Sequence, residues 1–180
     1  MTTQDRLRWD ARYENQGAPP EAVALPEPFA AHEHEFPATG QALELACGAG
    51  VFSVWLARRG LHVWGVDVSP VAIAHARDLA ARNGVGEICR FDVVDLDGGL
   101  PAGPPVDVFV CHRFRDPRLD RAIIERLAPG ALLAVSALSE VGAQPGRFRA
   151  KPGELTAAFA QLETIASGEG DGEAWLLARK

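Results

Sequence analysis

Basic residues are outnumbered in this chain: 18 Lys and Arg stand against 24 Asp and Glu, a formal charge of −6 at pH 7 over 180 residues. An extended nucleic-acid footprint normally needs a basic face to neutralise phosphates, so nucleic acid is unlikely as a partner and a small molecule is expected. Cysteine is limited to Cys47, Cys89 and Cys111, an odd number with no C-x-x-C pair. That excludes a disulfide framework and a cysteine-built zinc site, and it suits a reducing cytoplasm. Long apolar runs are missing too. Stretches such as Val106–Cys111 and Ala131–Ala137 are far too short to span a bilayer, and the polar, charged Met1 to Asp10 has no export character. No membrane association and a cytoplasmic location are therefore expected.

What is present is apolar content for one core, 47% of residues, in a length that suits a single domain. From Gln41 onward, strand-like and helical patterns alternate: a strand Ala42–Leu45, a helix Val51–Arg59, a strand His62–Val66, then a helix opening at Ser69-Pro70 and stopping at Asn83-Gly84. A capping serine, a proline in the first turn and a glycine past the last turn are the expected helix punctuation. Further strands are predicted at Glu87–Asp92, Val106–Cys111 and Ala131–Ala137, with a helix Leu119–Leu127 closed by Pro129-Gly130. A helix Glu154–Leu162 then leads to a strand Thr164–Ser167, a turn Gly168–Gly172 and a strand Ala174–Arg179, which reads as an antiparallel hairpin. Alternation of this kind predicts βαβ units and a parallel sheet with helices on both faces. Residues 1–40 form an N-terminal segment: a short helix Leu7–Glu14, then a proline-rich, irregular cap over residues 16–40. Residues 41–180 form the main domain.

The most informative run is Leu43-Glu44-Leu45-Ala46-Cys47-Gly48-Ala49-Gly50, followed by an apolar stretch ending in Gly65-Val66-Asp67. Glycines directly after a buried strand remove Cβ where backbone approaches a ligand, and an acidic residue one βα unit later can hold a ribose diol. A dinucleotide-binding fingerprint would need a third glycine, whereas Gly50 is followed by Val51-Phe52-Ser53. Spacing and residue types together resemble the class I S-adenosylmethionine-dependent methyltransferases. Trp55–Gly60 and Gly65–Ser69 are similar to the small-molecule branch containing the tellurite-resistance and thiopurine or thiol enzymes. The resemblance implies a single Rossmann-like α/β domain with a seven-stranded, mostly parallel sheet and an antiparallel terminal hairpin.

It also implies the cofactor, S-adenosylmethionine, leaving as S-adenosylhomocysteine. Glu44 would face its ammonium group, and Ala46, Cys47, Gly48 and Gly50 would line its methionyl part. Asp67 would take both ribose hydroxyls, Val68 the adenine face, and Asp95 the adenine amino group beside Leu96; Asp92, two residues earlier, competes with Asp95. Cys111 would line the same pocket. The segment after the fourth strand, Cys111-His112-Arg113-Phe114-Arg115-Asp116-Pro117, faces the transferable methyl in the family.

Methyl transfer from a sulfonium is an in-line displacement, so alignment and exclusion of water come first and a base is optional. Thiolates or selenide need little help, whereas an oxygen or nitrogen nucleophile usually needs a nearby proton acceptor. His112 is the candidate base, with cofactor packing as its other reading. Arg113, Arg115 and Asp116 form either an internal ion-pair set or an anion clamp. Trp9, Arg12 and Tyr13 match a W-x-x-R-Y opening that folds over the cofactor in similar enzymes, which makes Tyr13 a second candidate at the reaction centre and Trp9 a substrate contact. Arg147, Arg149 and Lys151 could attract an anionic substrate or be a solvated loop. His32-Glu33-His34-Glu35 offers two imidazoles but no evident third ligand, so no metal is expected. Methylation of RNA or protein is the alternative enzyme reading; the Asn or Asp-Pro-Pro-Tyr-like motif of amino-methylating nucleic-acid enzymes is replaced here by Cys-His-Arg-Phe. A binding module without catalysis is also open. The acceptor and the oligomeric state leave no mark on the sequence.

Overall fold

Seven strands and five α-helices alternate along the chain in a computed structural model that describes residues 3–19, 22–144, 146 and 149–180. The strands form one sheet in the order β3-β2-β1-β4-β5-β7-β6, a mixed α/β arrangement of the Rossmann type. They are β1 (Gln41–Leu45), β2 (His62–Asp67), β3 (Cys89–Val93), β4 (Val106–Cys111), β5 (Leu127–Leu138), β6 (Glu163–Gly170) and β7 (Glu173–Arg179). Helices are α1 (Thr3–Gln16), α2 (Val51–Arg58), α3 (Pro70–Arg82), α4 (Asp120–Arg126) and α5 (Glu154–Ala158). By internal contacts the chain divides into two compact units, Met1–Leu25 with Pro37–Ala102, and Pro26–Phe36 with Gly103–Lys180.

In the first unit β1, β2 and β3 pair in parallel, with Leu45 opposite Val66 and Asp67 opposite Val93. Strand β1 is buried from Ala42 to Leu45, so it reads as a continuous apolar run with Glu44 as the exception. Helix α3 starts where Ser69 Oγ accepts the Ala72 amide at 3.1 Å, and it ends at Asn83 before Gly84, whose φ of +70° is costly for other residues. Its buried residues Ala72, Ile73, Ala76, Leu79 and Ala80 recur at helical spacing, and with Val54, Cys47 and Phe91 they form one core. Each leucine or isoleucine buried in this way contributes about 1.5–3 kcal/mol.

In the second unit β4 pairs in parallel with β5, and β7 lies antiparallel between β5 and β6. Strand β5 is longer at its start than the sequence predicts and runs through Pro129-Gly130. Its register against β4 jumps between Val106 and Val108, and a proline, which has no amide hydrogen to donate, is tolerated at such an irregularity. The hairpin turn is tighter than Gly168–Gly172. Only Asp171 and Gly172, with φ of +50° and +80°, lie between the strands, as a two-residue turn of matched twist requires. Strand β3 begins at Cys89 because a 3-10 turn, Gly86–Ile88, takes up the predicted start. Helix α5 stops at Ala158, short of Leu162. The segment 16–40 is not wholly irregular: Glu27–Glu35 forms a 3-10 element that buries Phe29 edge-on against Trp175, with ring centroids 6.0 Å apart.

Candidate active site

The turn from β1 into α2 is built of unusual backbone. Ala46, Gly48 and Gly50 have φ of +50°, +53° and +79°. For glycine this is ordinary, but an alanine in the left-handed region is strained, and such strain collects where backbone must present groups to a ligand. The Cys47 amide reaches Val66 O at 3.0 Å, which holds the turn against the end of β2. A Cβ on Gly48 would stand 2.6 Å from Tyr13 Oη, so this glycine makes room for the α1 tyrosine. One on Gly50 would stand 2.7 Å from Ala76 Cβ, so that glycine lets α2 and α3 approach. Cys47 itself faces the core, and burial, Glu44 and Asp67 all push its thiol pKa up.

Two carboxylates end up buried beside this turn. Glu44 accepts hydrogen bonds from the Ser53 hydroxyl and backbone at the start of α2. Burial, offset in part by Ser53, raises its pKa to about 8, with Asp67 adding repulsion. Asp67 Oδ2 accepts the Gly48 amide and Oδ1 the Ser69 amide, both at 2.9 Å; burial outweighs these bonds and raises its pKa. Ser53, which the sequence reading passed over, fits because Gly65 carries no side chain: a Cβ there would lie 3.0 Å from Ser53 Oγ.

Helix α1 closes over the same turn. Asp10 Oδ1 accepts from Ser69 Oγ at 2.5 Å, a contact that no local sequence pattern announces. Burial, then Asp67 and Cys47, raise the Tyr13 hydroxyl pKa, so the phenol stays neutral. Trp9 lies 6.2 Å from the Tyr13 ring and has the Arg12 guanidinium 5.1 Å over its own. Beyond β3, the Val94 amide binds Asp67 O at 2.9 Å, which brings Asp95 and Leu96 toward the Asp67 backbone. Asp95 accepts the Asp97 amide and keeps an exposed side chain, whereas Asp92 is engaged by Trp64 and Arg90 at 2.8 and 2.6 Å. Val68 and Leu96 are buried apolar neighbours of these carboxylates in sequence.

The second unit carries the remaining candidates. His112 Nδ1 lies 2.7 Å from Ser136 Oγ, and the same oxygen accepts the Arg113 amide at 3.1 Å. Burial lowers the His112 pKa; Glu173 raises it and Arg113 lowers it again. Arg113, at φ +57°, pairs through Nη2 with Glu173 Oε2 at 3.2 Å. Arg115 is nearly enclosed, between Asp120 and Glu154. Asp116 is claimed by Arg118 at 2.6 Å. Arg149 Nη1 donates to Ser139 O at 2.6 Å and Gly172 O at 3.2 Å, so this guanidinium ties two loops together. Arg147 lies outside the described residues. Cys111 is buried with its thiol 3.3 Å from Phe114 O, and no metal-ligating cluster occurs among the described residues.

Glu44 and Asp67 test the cofactor against the chain's own chemistry. Two acidic groups are buried together, and their partners among the described residues are amides and a hydroxyl, with no basic side chain. A ligand bringing a cation and hydroxyl donors would relieve both. S-adenosylmethionine has an ammonium group for Glu44 and a ribose diol for Asp67, so the residues present fit it.

Residues 42–130 match the methyltransferase domain family. Among curated proteins, the chain is 36% identical over 117 residues to the ribosomal RNA small subunit methyltransferase C of Alcanivorax borkumensis, covering 60% of this chain and 35% of that one. It is 34% identical over 122 residues to the ribosomal protein L11 methyltransferase of Dechloromonas aromatica, covering 66% and 36%. The chain thus spans about a third of the length of these relatives. Among solved structures, TehB from Haemophilus influenzae superposes with a TM-score of 0.74 at 20% identity, over 87% of this chain and 62% of that one. Residues 42–130 thus carry a methyltransferase domain, and the seven-stranded sheet around it has the fold that TehB shares.

Proposed function

We propose that this protein transfers a methyl group from S-adenosylmethionine to a small-molecule acceptor. The observation that carries the reading is the buried pair Glu44 and Asp67, two acidic groups with no basic hydrogen-bond partner among the described residues. When bound, the cofactor supplies a methyl group activated by a sulfonium. Glu44 would hold the ammonium group and the Ala46–Gly50 backbone, with Cys47 behind it, the methionyl chain. Asp67 accepts the Gly48 and Ser69 amides on different oxygens and a further bond from the Val68 amide, and its remaining acceptor capacity would take the ribose diol. Val68 and Leu96 would pack on adenine, with Asp95 accepting from its amino group. Tyr13 and Trp9 would exclude water from one side of the cofactor.

A small acceptor is favoured by the net charge of −6. Methylation of RNA or ribosomal protein is the second reading, favoured by what the matched relatives are named for. Calorimetric titration with S-adenosylmethionine, wild type beside Asp67→Ala, tests the cofactor site. Saturable binding by wild type, weakened by about 1.5–3 kcal/mol in the variant, is expected from loss of a charge-assisted pair. No binding by wild type would sink the proposal, and equal binding by both would remove Asp67 from it. A panel of thiols, chalcogenide anions, phenols and amines then identifies the acceptor.

A further inference from the structure

Helix α2 begins without a side-chain cap of the ordinary kind. The residue before its first turn is Gly50, at φ +79°, and a glycine has no side-chain oxygen to receive the orphan amides there. The carboxyl of Glu44, on β1, meets that need in part. It accepts the backbone amide of Ser53, in the first turn of α2, and the Ser53 hydroxyl as well. One residue of the helix thus holds one carboxyl of the sheet through two donors, and both residues are buried.

A glycine on β2 makes room for this contact. Glu44 opposes Gly65 in the parallel β1–β2 ladder, so the two positions share one face of the sheet. A Cβ on Gly65 would stand 3.0 Å from Ser53 Oγ and 2.7 Å from the Phe91 ring. Gly65 does not take a positive φ, so it is the missing side chain that this position requires and not a special backbone. Ser53 Oγ reaches Glu44 across the surface that a larger residue would cover.

A carboxyl held in this way has a fixed direction. Ser53 fills two of its roughly four lone-pair sites, and a ligand would use what remains. Bonds donated to a carboxylate favour its charged form, and both Ser53 bonds pull the Glu44 pKa down against the larger effect of burial. An ammonium group gains from that charge, whereas a ligand without a cation gains nothing. Asp67 draws on other donors, the Gly48, Ser69 and Val68 amides. A change at Ser53 therefore bears on Glu44 and leaves the Asp67 bonds in place. All of these residues lie in the first compact unit.

We infer that Ser53 is a positioning residue of the cofactor site: by fixing Glu44 in the room left by Gly65, it makes the site select nucleosides with a cationic amino-acid chain over truncated thionucleosides that lack one. This deepens the cofactor reading above and rests on it. Ser53 acts on the ligand through the carboxyl, so its influence should vanish wherever the carboxyl or the ammonium is missing.

Titration calorimetry with four ligands tests this. S-adenosylmethionine and S-adenosylhomocysteine carry the whole amino-acid chain, decarboxylated S-adenosylmethionine keeps its ammonium alone, and 5′-methylthioadenosine has neither charged group. Ser53→Ala should bind the first three on the order of 10-fold more weakly than wild type does, and 5′-methylthioadenosine within about twofold of wild type. Introduced into Glu44→Gln, the same change should alter S-adenosylhomocysteine binding by less than about twofold, because the two residues act as one unit. Ser53→Cys, similar in size with only a weak donor, should repeat the split and keeps the test open if the alanine variant does not fold. A serine that serves α2 alone gives another pattern, a lower melting temperature with equal losses for all four ligands. Equal losses, or a 10-fold loss that persists in Glu44→Gln, would overturn the role of Ser53 while leaving the cofactor reading intact. Failure of wild type to bind S-adenosylmethionine would remove that reading, and this inference with it.

Discussion

Glu44 and Asp67 each sit near a strand end in apolar surroundings, and the proton on Glu44 has a calculable consequence. A carboxyl whose pKa is raised from 4.5 to about 8 binds its proton more tightly folded than unfolded. Its contribution to stability is therefore full below pH 4.5 and declines as pH rises toward 8. Glu44→Gln removes that decline, so the melting temperature of the ligand-free variant should gain on wild type between pH 6 and 8. If Glu44 receives the ammonium group, wild type must release a proton on binding, and affinity should rise between about pH 6 and 7, below the range in which an α-amino group itself titrates. Calorimetry in two buffers of different ionisation enthalpy measures the proton; the variant should release none and bind more weakly by about 1.5–3 kcal/mol. Proton uptake by wild type, or no change in proton count in Glu44→Gln, would separate Glu44 from the cofactor. Glu44 and Asp67 stood out in the sequence because an acid at the end of an apolar strand is conspicuous. Ser53, Ser136 and Glu173 did not, since a serine in a helix or strand, or a glutamate beside a turn, has ordinary alternatives and only the fold selects among them.

At the scale of elements, the cap on α3 doubles as a docking point for α1. Ser69 Oγ accepts the Ala72 amide and donates to Asp10, so Ser69→Ala should lose both a helix cap and an interhelical bond. The cap alone is worth about 1 kcal/mol, roughly 2–4 °C in a chain of this size. Asp10→Ala keeps the cap, so its melting temperature should fall less, whereas limited proteolysis within α1 should accelerate equally in both variants. Equal losses of stability would mean that the cap carries nothing here. The strands and α3 were legible because apolar periodicity and the Ser-Pro and Asn-Gly punctuation act locally. The 3-10 element Glu27–Glu35 was not, because prolines break any period and its support comes from Trp175, about 140 residues later. Pro129-Gly130 looked like a stop and is a strand irregularity, while Asp171-Gly172 was the true turn and carried the expected Asp-Gly signature.

Across the whole molecule, charge bears on the two acceptor readings. Binding to RNA draws on cations that can leave their partners and release counter-ions from phosphate, and affinity then falls steeply with salt. Here acidic residues outnumber basic ones by 24 to 18. Many basic side chains are also committed within the fold: Lys180 to the Ile124 and Leu127 carbonyls, Arg77 to Phe91 O, Arg179 to Glu35, and Arg115 to its two carboxylates. Recruiting them for phosphate would break bonds that hold elements together. Fluorescence anisotropy with a labelled RNA stem-loop should therefore show no saturable binding below about 10 μM at physiological salt, and only a shallow dependence on salt, since even non-specific binders reach ~10⁻⁴–10⁻⁶ M. Saturable submicromolar binding with a log–log salt slope of about −4 or steeper would mean that several phosphates are neutralised, and would move RNA ahead of a small molecule. Adding S-adenosylmethionine separates a productive complex from an incidental one. The cofactor candidates from Tyr13 to Leu96 all belong to the first compact unit, so bound cofactor should slow hydrogen exchange at Cys47–Gly50 and Asp67–Ser69 whether or not RNA is present.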